Sequence, residues 1–150
     1  MKSYMLSLVL VLFISGCSHK TENKSVTDMP QPQATAQTAA AQKSAEAWLA
    51  LVDAAKYAES WKTSAALFQA AVSQDQWGHT IAAVREPLGD LVSRKFMNAT
   101  YTKTLPGAPD GEYVVLQFAT SFANKKAAVE TVTPMVDADG TWKVSGYYIK

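Results

Sequence analysis

The run Tyr113–Phe122, YVVLQFATSF, decides the fold, because it is the longest β-branched and aromatic segment beyond the N-terminal region. It predicts a strand whose two sides differ: one side is dominated by large apolar residues and the other is mixed. A strand of this kind is typical of the centre of a sheet that helices cover on its apolar side. The apolar side carries Val114, Leu116, Phe118 and Phe122.

The segments around this central strand predict three more strands. Leu105-Pro106-Gly107 and Pro109-Asp110-Gly111 are turn signals before it, and Asp137–Gly140 separates the last two strands. Because such short connections join antiparallel neighbours, the sequence predicts a four-stranded antiparallel meander. The predicted strands are Arg94–Leu105, Tyr113–Phe122, Ala128–Val136 and Thr141–Lys150.

Apolar residues recur at helical spacing in three segments upstream of the sheet. The boundary between the first two lies near Ala55, and it lacks the glycine that usually follows a helix. We expect the aromatic residues of the second stripe to pack in the core rather than to stack on a ligand. The first stripe is Ala45, Trp48, Leu49, Val52 and Ala55, and the second is Tyr57, Trp61, Ala65, Phe68 and Val72.

The third helix has the clearest local signature. Ser73 and Gln76 fit a capping box, so the helix is predicted to begin at Gln74, and Pro87 is predicted to end or kink it. Its expected buried stripe is Trp77, Ile81, Val84 and Leu88. His79 falls beside this stripe, where a partly exposed histidine is expected, and no further ligand at suitable spacing indicates a metal site.

Residues 1–17 predict export. Lys2 precedes the apolar segment Met5–Ile14, which is too short to span a bilayer, and small residues follow it. The ending Ile14-Ser15-Gly16-Cys17 resembles the lipobox of bacterial lipoproteins. That resemblance implies a signal peptide at 1–16, acyl chains on Cys17 and attachment to membrane lipid without a spanning helix. Since Ser18 stands where an aspartate would imply inner-membrane retention, the resemblance implies the outer membrane, facing the periplasm.

The remaining chain divides into a tether and one domain. Residues 17–40 are rich in Ser, Thr, Gln, Ala and Pro and predict a disordered tether, and residues 41–150 predict the globular domain. The formal net charge is +1, without a run of basic residues, which argues against a nucleic-acid partner. Cys17 is the single cysteine, so no disulfide is expected within the chain.

A wider resemblance covers the chain from about Ala45 to the C-terminus. An ordered set of motifs there is similar to the bacterial family catalogued as domain of unknown function 4019, which implies no activity and no catalytic residue. Ala55 departs from the pattern, because the family's turn is expected to carry glycine. The motifs are Val84–Gly89, Ser93-Arg94, Leu105–Tyr113, Glu130–Thr133 and Trp142–Tyr148.

Helices followed by a curved antiparallel sheet also look like the cone-shaped folds of the cystatin and nuclear-transport-factor type. We therefore expect an α+β domain in which about three helices pack on a four-stranded sheet. The sequence contains no phosphate-binding glycine loop, no HExxH and no nucleophile–base pair, so no cofactor and no catalysis are predicted.

Two functions remain open from the sequence. The first is a non-catalytic binding or interaction module of the cell envelope, with an envelope protein as partner. The alternative is a small-ligand-binding or hydrolytic cone whose polar pocket contains Arg94 and Glu130. We expect these two residues instead to form a cross-strand ion pair at the surface of the sheet.

Overall fold

The computed structural model describes residues 31–150, with the side chains of residues 35–150. Within this range the helices precede a four-stranded antiparallel sheet of order β1-β2-β3-β4, so the predicted α+β class and meander are confirmed. Between residues 31 and 150 there are four α-helices rather than about three. The elements are α1 (Gln31–Asp53), α2 (Tyr57–Lys62), α3 (Ala66–Ala71), α4 (Gln74–Arg85), a 3₁₀ turn (Glu86–Leu88), β1 (Leu91–Thr102), β2 (Tyr113–Phe122), β3 (Ala128–Val136) and β4 (Trp142–Ile149).

Helix α1 begins at Gln31, inside the segment 17–40 that was expected to be a disordered tether. Alanine and glutamine favour helix strongly, and Pro32 stands in the first turn, where proline is tolerated. Packing then decides the outcome, because Ala41 is fully buried one turn before the predicted stripe. The stripe itself is confirmed as far as Val52: its buried members are Ala45, Trp48, Leu49 and Val52.

The second predicted helix is two short helices, α2 and α3. Side chains cap the break between these two helices. The Ser64 hydroxyl donates to the Ser60 carbonyl, and the side-chain amide of Gln69 donates to the carbonyls of Trp61 and Ser64. These side chains satisfy the carbonyls that a continuous helix would have used. The aromatic residues Tyr57, Trp61 and Phe68 pack against the core, as expected.

Helix α4 begins at Gln74 as predicted, with the Ser73 side chain accepting a hydrogen bond from the Gln76 amide at 3.3 Å. Trp77 and Ile81 are buried, but Val84 is 44% exposed. The buried position one residue further on is Arg85.

The predicted bounds of β2 and β3 are confirmed, whereas β1 begins three residues before the predicted Arg94. Phe118 is 1% exposed and faces the helices together with Val114 and Leu116. A register shift at Phe96/Asn98 leaves Met97 bulged out of the β1–β2 pairing.

Helix α1 crosses the sheet from one end to the other. Near its start, the Gln37 side chain accepts a hydrogen bond from the Trp142 indole at the beginning of β4. Its last residue, Asp53, contacts Arg94 near the beginning of β1. Among residues 31–150 all four α-helices lie on the Phe118 side of the sheet, so its opposite side, which we call the outer face, carries no helix.

Candidate functional site

Two arginines and two carboxylates meet beneath the helices. We call Asp53, Arg85, Arg94 and Glu130 the Arg–carboxylate cluster; they come from the ends of α1 and α4 and from β1 and β3. The exposed fractions of these side chains are 18%, 6%, 13% and 0% in that order. Four separate elements are therefore joined through one buried group of charges.

Glu130 is at the centre of the cluster because alternate residues of β3, Ala128, Glu130 and Val132, point toward the helices. Its Oε2 accepts hydrogen bonds from Arg94 Nε and from the Thr120 hydroxyl, both at 2.6 Å. Its Oε1 accepts hydrogen bonds from Arg94 Nη2 at 3.1 Å, from the Tyr147 hydroxyl and from Arg85 Nη1 at 3.4 Å. A carboxylate accepts about four hydrogen bonds, so protein donors saturate Glu130.

Asp53 completes the charge balance. It accepts from Arg85 Nη2 at 2.7 Å and from Arg94 Nη1 and Nη2 at 2.6 and 2.9 Å. Each arginine thus bridges both carboxylates, and the two positive and two negative charges cancel. The Arg85 guanidinium also lies 4.5 Å from the centre of the Phe122 ring, a distance suited to a cation–π contact.

The cluster changes the acidity of its members. Burial alone lowers the pKa of the Arg94 guanidinium, but the hydrogen bonds to Asp53 and Glu130 outweigh burial and raise that pKa above its ordinary value. Burial, reinforced by the charge of Glu130, raises the pKa of the Tyr147 phenol. Tyr147 therefore stays protonated and donates to Glu130 well into the alkaline range.

The sequence prediction for this region is wrong in one respect. Arg94 and Glu130 do contact each other, but they lie beneath the helices and not at the sheet surface. The alternation of β3 places Glu130 on the inward side with Ala128 and Val132, so the ion pair is buried. Whether the pair serves a pocket stays a prediction.

Sequence reasoning missed four residues that contact Glu130 or its arginine partners: Asp53, Arg85, Thr120 and Tyr147. Asp53 is the last residue of α1, and Tyr147 lies opposite Val132 on the inward face of β4. A signal existed for Arg85, which follows the buried Trp77 and Ile81 at successive steps of four residues. No local signal indicates which partners it meets, since its contact with Glu130 spans 45 positions.

The other residues and features considered from the sequence do not belong to the cluster. His79 is exposed on α4, as expected. No group of three metal-ligating side chains occurs among the described residues. None of the helices between residues 31 and 150 combines the length and apolar character needed to cross a bilayer. The predicted lipidation site, Cys17, lies outside the described residues.

A second feature lies on the outer face. An open groove of about 480 Å³ crosses the sheet near the beginning of β1, the end of β2 and the beginning of β3. Its sides include Lys95, Lys126 and Lys150, and its floor includes Ala119 and Val129. No Asp or Glu contributes to its lining.

No curated protein and no solved structure matches the chain. One family model does, described as "Protein of unknown function (DUF4019)", and it covers residues 44–147, more than half of the chain. The match begins within α1 and ends at Tyr147, so it contains all four residues of the Arg–carboxylate cluster as well as most of the groove. The chain belongs to the DUF4019 family.

Proposed function

We propose that this protein is a lipid-anchored, non-catalytic binding or interaction module of the cell envelope, held at the outer membrane by acyl chains on Cys17 and facing the periplasm. The observation that carries the proposal is the outer face of the sheet, which no helix covers among the described residues and which contains an open groove. The anchor is supported by Ile14-Ser15-Gly16-Cys17, placed directly after an apolar segment.

The state of the Arg–carboxylate cluster supports a structural role for the most polar part of the interior. Protein donors saturate Glu130, so this carboxylate is not free to act as a base, and Asp53 is held by both arginines. A catalytic carboxylate needs an open position for the proton that it abstracts. The cluster is better suited to holding α1 and α4 against the sheet than to chemistry.

The alternative is a cone of the cystatin or nuclear-transport-factor type that binds or hydrolyses a small ligand at Arg94 and Glu130. One observation favours it: Asp53 and Arg94 are 18% and 13% exposed, so the cluster reaches solvent on one side. A ligand there would have to replace one of the existing Arg94 bonds, which bind both carboxylates at 2.6 Å.

The anchor is tested by mass spectrometry of the mature protein, which should find a diacylglyceryl group on a chain that begins at Cys17. The matched variant is Cys17→Ala, which should leave the membrane fraction. If this variant still sediments with membranes, another part of the chain provides the attachment and the proposed anchor is wrong.

The binding function is tested by photo-crosslinking in intact cells. A photoreactive amino acid replaces Ser121 beside the groove, Ala54 beside the cluster, or Thr80 on the exposed side of α4 as the control. Adducts with one protein that form at position 121 alone support the module. Adducts at position 54 alone favour the alternative, and equal labelling at 54, 80 and 121 contradicts both.

A further inference from the structure

Four residues form one row across the whole sheet on its outer face. Lys95 pairs with Ala119, and Ala119 pairs with Val129. Val129 and Lys150 exchange both backbone hydrogen bonds, at 3.0 and 2.9 Å. Because directly paired residues of antiparallel strands project to the same side, the four side chains lie side by side. Adjacent strands are about 4.8 Å apart, so the row is about 14 Å long.

The row has a positive group at each end and an apolar centre. Lys95 and Lys150 are exposed, and neither forms an ion pair with another residue in the described part of the chain. Lys126, from the β2–β3 connection, adds a third such charge to the groove. Ala119 and Val129 form the floor between these lysines, with Met97 beside them. A ligand that fits this row carries negative charge at two separated points and a small apolar group between them.

We propose that the groove binds an extended acidic segment of a partner protein, with two acidic side chains four positions apart and a small apolar residue midway. In an extended chain, residues i, i+2 and i+4 project to the same side, and i and i+4 are about 13 Å apart. That distance matches the length of the row, so the two carboxylates lie over Lys95 and Lys150 while the middle residue contacts Ala119 and Val129. A single small anion leaves either one lysine or the apolar floor unused.

The position of the groove favours a protein over the anchoring membrane. Helix α1 begins near Trp142, at the end of the sheet opposite to the groove, so the chain that leads from Cys17 enters the domain at that far end. The groove then lies at the end of the domain farther from the point where the anchored chain enters. This step rests on the proposed anchor, whereas the match between row and peptide does not.

The experiment is an NMR titration of the full ¹⁵N-labelled chain, purified in a non-ionic detergent. The probe is the end-blocked peptide Gly-Ser-Asp-Thr-Val-Thr-Asp-Ser-Gly. We expect saturable shifts of the Ala119 and Val129 amides. Lys95→Gln and Lys150→Gln should each raise the Kd about two- to fivefold, the usual effect of one exposed charge pair, and their double variant should multiply the two effects. Lys62→Gln, an exposed lysine on α2, is the matched control and should leave the Kd unchanged.

Three results would overturn the proposal. The permuted peptide Gly-Ser-Asp-Asp-Val-Thr-Thr-Ser-Gly has the same composition with adjacent acids, and equal affinity for it removes the spacing argument. Inorganic phosphate that produces the same shifts at the same concentration makes the groove a small-anion site. Vesicles of anionic phospholipid that shift the Ala119 and Val129 amides while the first peptide does not make it a membrane contact. If mass spectrometry finds no acyl group on Cys17, the proposed anchor is wrong, but the outcome of the peptide titration does not depend on that result.

Discussion

Glu130 occupies a strand position that faces the core, and the surrounding residues make that position tolerable. Transfer of a carboxylate from water into a protein interior costs several kcal/mol unless charge and hydrogen bonds replace its hydration. Here Arg94 supplies two bonds, and Thr120 and Tyr147 supply one each. These donors come from three strands besides that of Glu130, so the carboxylate acquires its compensation only when the whole sheet has formed.

We expect Glu130→Gln to lower the free energy of unfolding by about 3–5 kcal/mol, because one charge of a buried network is removed while the arginines stay buried. Urea unfolding followed by tryptophan fluorescence measures the loss. The matched control is Glu59→Gln, in which the same substitution breaks an exposed pair with Lys56 at 3.7 Å and should cost less than about 1 kcal/mol. Equal small losses in both variants would mean that the cluster contributes little to stability.

Tyr147 makes the same network sensitive to alkaline pH. Its pKa is raised in the folded protein by burial and by Glu130, so the unfolded state releases the phenolic proton first as the pH rises. The stability that protonated Tyr147 contributes is therefore complete below its unfolded pKa of about 10 and is lost as the pH rises toward the folded value.

The measurement for Tyr147 compares the wild type with Tyr147→Phe between pH 8 and pH 11. Above about pH 10 the wild type should lose up to about 1.4 kcal/mol per pH unit more than the variant, since the phenylalanine has no proton to release. Tyr148→Phe, 62% exposed on the next residue, is the control and should follow the wild type. Parallel curves for the wild type and Tyr147→Phe would contradict a perturbed phenol.

At the level of secondary structure, the end of α1 shows how a helix terminates without glycine. The Ala55 amide donates to the Val52 carbonyl and the Lys56 amide donates to the Leu51 carbonyl, which are the two hydrogen bonds of a Schellman motif. The residue that makes this turn, Ala55, has φ 55°. An alanine in this left-handed region is strained because its Cβ approaches the following carbonyl.

Ala55→Gly should therefore raise the free energy of unfolding by about 0.5–1 kcal/mol, the strain relieved minus the entropy that glycine adds to the unfolded chain. Thermal unfolding measures the gain as a higher Tm. Ala83→Gly, at an exposed position inside α4, is the opposite control and should destabilise by about 1 kcal/mol. A fall in Tm for both variants would show that the turn gains nothing from glycine.

Periodicity predicted the elements better than it predicted their polar interior. The strands β2 and β3 and the start of α4 follow from alternation and from a capping box, which are local signals. The split between α2 and α3 depends on Gln69 reaching back to Trp61 and Ser64, and no apolar stripe contains that information. The Arg–carboxylate cluster joins residues 32 to 45 positions apart, so it depends on tertiary contacts that local sequence patterns do not reveal.

At the scale of the molecule, two unlike surfaces follow from one sheet. The inward face is covered by helices that the cluster holds at the ends of α1 and α4, and the outer face keeps its lysines exposed. Protein donors already hold the carboxylates of the cluster, and the proposed binding is assigned to the outer face.

The extent of the folding unit gives the last prediction. The family match begins at residue 44, but α1 begins at Gln31. In the earlier part of the helix, Ala41 is completely buried, and the Gln37 side chain accepts a hydrogen bond from the Trp142 indole at 3.1 Å. A buried methyl contributes about 0.8 kcal/mol and a hydrogen bond about 1 kcal/mol, so a chain that starts at Ser44 should be about 2 kcal/mol less stable than one that starts at Gln31.

Urea unfolding of the two shortened chains measures that difference directly. The variant Gln37→Ala in the longer chain separates the two contributions, and it should account for about 1 kcal/mol, since it removes the acceptor of the Trp142 indole while the helix and Ala41 stay in place. The remainder then belongs to the other contacts of residues 31–43, among them the packing of Ala41 against the core. If the two chains unfold at the same urea concentration, the first three turns of α1 add nothing to the fold, and the domain begins where the family match begins.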